Sequence, residues 1–142
     1  MHSSVLLLER QLGSADLKAI AADGAEASFT VLLMTDGGAH LRRELANHPE
    51  SSGHHHPAQD PSTALKRSME LLREQGHQVK GLPVGDDVLP TTRLMVRRGG
   101  ISEVIVLADF RNVEDARTQG WDTRLQDHLG VSVARFVEHR DE

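Results

Sequence analysis

The chain has 142 residues and a mass of 15.6 kDa, 38% of it hydrophobic and 26% charged, which predicts one domain with one packed core. Lys plus Arg is 16 against 21 Asp plus Glu, a formal charge of −5, with only 3% aromatic residues; neither the positive field nor the stacking platforms of a nucleic-acid binder are present. No cysteine excludes disulfides and thiol chemistry, no apolar run approaches the ~20 residues of a membrane helix, and Val5–Leu8 is too short for a signal-peptide core, so a cytoplasmic location is expected.

Short apolar runs alternate with helical segments. Val5–Leu8 predicts a first buried strand, continuing into Glu9. Asp16, Leu17 and Ile20 open a short helix that Asp23–Gly24 ends. Phe29–Met34 predicts the second strand, apolar throughout except for Thr30. Runs that are apolar on both faces suit a parallel sheet covered on both sides. From Thr35 to Asp60 the character changes. Asp36–Gly37–Gly38 reads equally as a ligand-binding turn or a plain strand-ending turn, and a helical turn or two fits near Leu41–Ala46. Pro49, Ser51, Ser52, Gly53 and three consecutive histidines then predict a long, partly mobile surface loop over about 36–60.

Asp60–Pro61 starts the next helix, with Asp as its cap and Pro in its first turn. Leu65, Met69 and Leu72 form its buried face, and Gly76 stops it. His77–Val84 predicts the third strand, and Pro83 within it points to a sheet edge. Gly85–Asp86–Asp87 opens a helix closed by Gly99–Gly100. Val104–Leu107 predicts the fourth and most central strand. A polar loop is expected over Arg111–Gln119. Trp121, Leu125 and Leu129 recur every four residues on a last helix ending at Gly130, and Val131–Val137 predicts the fifth strand. The alternation implies an α/β fold: a five-stranded parallel, doubly wound, Rossmann-like sheet with helices on both faces. Ligands of such sheets bind at the carboxyl ends of the strands, near the switch in strand order.

The chain resembles a universal stress protein domain over nearly all of its length, most specifically from Val84 onward. Val84-Gly85-Asp86 matches the end of that family's third strand, and Val104–Leu107 and Val131–Val137 match its last two strands. The resemblance implies the sheet common to adenine-nucleotide-binding relatives, a homodimer through Val131 to Val137, and a role in stress response. Nucleotide-binding members carry G-x2-G-x9-G-[S/T] after strand four. Here that pattern falls on Leu107, Phe110, Gly120 and Trp121, so only Gly120 is kept. Side chains then stand where backbone amides approach phosphate, and Trp121 replaces a small hydroxyl. Asp109, Glu114 and Asp115 add negative charge, which Arg111 and Arg117 offset in part. The family's nucleotide-binding Asp at the end of strand one is shifted to Glu9.

These departures predict a regulatory or protective protein without tight ATP binding, acting through dimerisation and partner contacts and not as an enzyme. The alternative is a weak ATP or AMP binder using Glu9, Val84, Gly85 and Gly120. A further alternative is a metal site at His54, His55 and His56. Imidazoles suit Zn, Ni or Cu, but consecutive loop residues do not by themselves fix a coordination geometry. Asp86–Asp87 reads as helix capping, and Arg93, Arg97 and Arg98 suit the late turns of their helix. No Gly-x-Ser-x-Gly elbow, Walker A or G-x-G-x-x-G motif occurs.

Overall fold

A computed structural model describes residues 2–16, 20, 27–35, 39–46, 61–99, 101, 103–108, 110–131 and 134–138. Five strands, β1 (His2–Leu8), β2 (Ala27–Met34), β3 (Gln78–Val84), β4 (Glu103–Ala108) and β5 (Ala134–Glu138), form one sheet in the order β3-β2-β1-β4-β5. Every neighbouring pair is parallel. The helices are α1 (Ala39–Ala46), α2 (Pro61–Glu74), α3 (Val88–Gly99), α4 (Phe110–Gln119) and α5 (Trp121–Leu129), and a single 3-10 turn covers Ser14–Asp16. This is the expected α/β Rossmann-like architecture.

Alternation along the strands divides the core into two layers. Val5 and Leu7 of β1 and Val104 and Val106 of β4 face a layer that includes Val88 and Leu89 of α3 and Leu125 and Leu129 of α5. Leu6, Leu8, Ile105 and Leu107 face the opposite layer, with Ile20 and with Ala64, Leu65 and Leu72 of α2. The central strands β1 and β4 are thus buried on both faces, which explains their unbroken apolar runs. The edge strand β3 alternates half-buried and exposed positions and tolerates Pro83, because it pairs on one side only, with β2.

Two buried polar side chains, Ser68 and Asp16, are matched by hydrogen bonds. Ser68 of α2 donates its hydroxyl to the Ala64 carbonyl and accepts the Leu12 N–H at 2.9 Å, tying the segment after β1 to α2. The Asp16 carboxylate accepts the Gly13 N–H while its own N–H returns to the Gly13 carbonyl, a reciprocal cap. Gly76 (φ 87°) and Gly130 (φ 70°) adopt the left-handed conformation that ends α2 and α5.

Two expectations are corrected. Arg111–Gln119 is not a loop: α4 runs over Phe110–Gln119, and Val113 and Ala116 bury its inner side. The fifth strand is Ala134–Glu138, not Val131–Val137; Val131 follows the Gly130 cap, and its N–H bonds back to the Gln126 carbonyl. Most of the predicted first helix, most of the predicted loop over 36–60 and the whole histidine run lie outside the described residues. The described part of that loop is α1.

Candidate functional site

In the order β3-β2-β1-β4-β5, β1 is flanked by β2 on one side and β4 on the other. The switch point is therefore the carboxyl end of β1 against that of β4, where an open α/β sheet presents a crevice. Glu9 sits there. Its N–H bonds to the Leu107 carbonyl of β4 at 3.3 Å, extending the ladder by one residue. Its side chain is 7% exposed, and Oε2 lies 2.7 Å from Arg42 Nη1 of α1. The predicted ligand-facing carboxylate is thus engaged by the protein's own guanidinium.

The rest of α1 closes over the same layer. Leu41 and Leu45 are buried with Met34, Val84 and Ala108, the last residues of β2, β3 and β4. The Arg124 guanidinium of α5 donates to the Leu45 carbonyl, one of the acceptors that a helix end leaves without an intrahelical partner. His40 and Glu44 pair at 3.5 Å on α1, one turn apart.

Val84 and Gly85 stand at the end of β3, two strands from Glu9. The Val84 carbonyl accepts both the Thr35 N–H at 2.8 Å and the Thr35 hydroxyl at 3.2 Å. Gly85 donates to Asp87 Oδ1 at 2.9 Å. A Cβ at Gly85 would meet Thr35 Oγ1 at 3.5 Å, an ordinary contact, so no steric demand selects glycine there. Asp87 also accepts the Thr91 hydroxyl, and the Gly85 N–H holds its carboxyl below the usual range. The Asp87 carboxylate is thus held within the turn that enters α3, by the preceding Gly85 amide and the Thr91 hydroxyl.

Gly120 separates α4 from α5 at φ 69° and ψ 34°. A Cβ there would meet nothing within 4 Å. Its glycine is therefore explained by the left-handed bend between two helices and not by close backbone approach to another group. Trp121 follows, 3% exposed, with its ring 6.3 Å from that of Phe136 on β5 and its Nε1–H buried without a hydrogen-bond partner among the described residues. Leu107, the first motif position, is fully buried in the opposite layer as an interior residue of β4. Phe110 is the first residue of α4, so a helix stands where the motif needs a glycine loop.

Glu9, Val84 and Gly85 are thus brought to one edge of the sheet, while Gly120 lies beyond the ten residues of α4. His54, His55 and His56 lie outside the described residues; among the described residues no cluster of three or more metal-ligating side chains occurs, and no helix is long and apolar enough to cross a membrane. Arg42 is a site residue that sequence reasoning did not single out. Arg42 carries no motif, and its partner is 33 residues away.

No protein-family model matches the chain, and neither a curated protein nor a solved structure is significantly similar to it.

Proposed function

We propose that the chain is a regulatory or protective protein resembling the universal stress proteins, one that does not bind ATP tightly and acts through dimerisation and partner contacts. The observation that carries this reading is the occupied switch point: Arg42 of α1 pairs with Glu9 at 2.7 Å, where a nucleotide-binding relative would offer a carboxylate to its ligand. Two further features support it. A helix follows β4 directly in place of a glycine loop, and Trp121 is packed into the core at the motif's final position.

The dimer is proposed through β5. Among the described residues this strand is an edge, paired only with β4, and Phe136 and Val137 are half-buried on it. An unpaired edge is a site for strand addition unless something covers it. Antiparallel pairing about a two-fold axis would satisfy the outward amides of Ala134–Glu138 in both copies. Light scattering at high micromolar concentration tests this arm, with twice the 15.6 kDa chain mass expected and a monomer contradicting it. Mass spectrometry of gently purified protein tests the other arm. No stoichiometric adenine nucleotide is expected, and its presence would overturn the reading.

A further inference from the structure

The connection from β2 to β3 carries two helices, and they lie on opposite faces of the sheet. α2 packs in the layer with Leu6, Leu8 and Ile105, whereas α1 packs in the layer with Val5, Leu7 and Val106. A parallel crossover needs one helix, so α1 is additional to the topology.

α1 spans eight residues, too few to remain helical in water on its own. Its structure depends on docking, and among the described residues the docking elements can be named. Leu41 and Leu45 are buried, Arg42 reaches Glu9, and Arg124 reaches the Leu45 carbonyl. Leu41, Arg42 and Leu45 form a single stripe one turn long. Arg43 and Glu44 on the outer side are exposed. The strands beneath differ in kind. β1 and β4 are buried on both faces and hydrogen-bonded on both sides, so they open only when the whole sheet does.

We propose that α1 is a detachable cover, a unit that leaves the carboxyl edge of the sheet while the five strands stay folded, with Glu9–Arg42 as its latch. An ion pair suits a latch because its net worth is small when both partners can return to water. Undocking rehydrates the Glu9 carboxylate and the Arg42 guanidinium together. What it uncovers is a buried carboxylate at the switch point, beside the apolar ends of β2, β3 and β4. The contact is autoinhibitory in form: the chain occupies its own crevice. The inference goes beyond the proposed function, and its test involves neither nucleotide nor oligomerisation, so either can fail alone.

The chain has no cysteine, so one introduced thiol is a unique reporter. Leu45→Cys places it under α1, and Val106→Cys places it in the sheet; both parent side chains are at most 1% exposed. Labelling by a disulfide reagent in native buffer measures how often each site opens. The Leu45→Cys thiol is expected to react about 100-fold faster than the Val106→Cys thiol. Adding Glu9→Gln should speed the former about tenfold and leave the latter within about twofold. Equal rates at the two sites, or equal acceleration of both by Glu9→Gln, would make α1 an integral part of the core and overturn the proposal. Hydrogen exchange of the unmodified protein supplies the arm that needs no folded variant. Amides of Leu41–Ala46 should exchange well before those of Leu6–Leu8, and equal protection would again overturn it.

Discussion

Arg42 Nη1 lies 2.7 Å from Glu9 Oε2, joining α1 to the first residue beyond β1 across the switch point of the sheet. Both side chains are largely withdrawn from water, at 16% and 7% exposure. Removing one partner leaves the other charge desolvated, which costs several kcal/mol in buried pairs. Arg42→Ala should therefore destabilise the protein by about 3 kcal/mol in urea unfolding. The double change Arg42→Met with Glu9→Gln should cost less than Arg42→Ala alone, because no charge is stranded. A double variant weaker than the single one would show that the pair itself supplies the stability.

Gly81 lies on β3 beneath α2. A Cβ there would stand 2.8 Å from the Val31 carbonyl oxygen and 3.1 Å from both Leu65 Cδ1 and Met69 Sδ. The two side chains can yield, but the Val31 carbonyl belongs to the β2 backbone and cannot move without disturbing its ladder. Gly81→Ala is expected to cost about 1–3 kcal/mol, read as a lower urea midpoint with an unchanged slope. Gly120→Ala should also destabilise, for a different reason: the space is open, but φ is 69°.

Much of the fold was legible because parallel strands buried on both faces leave continuous apolar runs, as at Val5–Leu8 and Val104–Leu107. Pro83 marked an edge, and Gly76 and Gly130 marked helix ends. α4 was not legible as a helix, because Phe110, Val113 and Ala116 are its only apolar residues among seven polar ones. Their spacing of three was the available signal. β5 was placed too early because Val131 extends its apolar run, yet the Gly130 cap holds Val131 to α5 by a bond to the Gln126 carbonyl. Glu9 was visible as the residue ending the first strand. Its pairing with Arg42 was not, since no local pattern links positions 33 apart.

Trp121 buries a large ring whose Nε1–H has no hydrogen-bond partner among the described residues. Trp121→Ala should cost ~3–5 kcal/mol, as for other buried aromatic truncations. Trp121→Phe keeps most of the ring volume and removes the unsatisfied donor, a group that costs about 1–3 kcal/mol when buried. Its net effect should therefore be under about 1.5 kcal/mol. A loss from Trp121→Phe well above about 1.5 kcal/mol would contradict the gain expected from removing an unsatisfied donor.

Asp87 accepts the Gly85 N–H at 2.9 Å and the Thr91 hydroxyl at 3.3 Å, and the Gly85 N–H lowers its pKa below 3.8. A carboxylate depressed on folding contributes stability above its unfolded pKa and loses it as pH falls through the folded value. The unmodified protein should therefore be more stable than Asp87→Asn at neutral pH. That difference should shrink as the pH drops below about 4. A pH-independent difference between the two would show that the contribution does not come from ionisation.

Calorimetric titration with ATP tests the central claim most directly, because the account rests on Glu9 being paired with Arg42, on α4 following β4 and on Trp121 being packed in the core. A Kd of about 1 mM or weaker is predicted, which corresponds to no more than about 0.4 kcal/mol of stabilisation at 1 mM ATP. A Kd in the low micromolar range would contradict the account, since the switch point would then bind nucleotide despite the side chains that fill it.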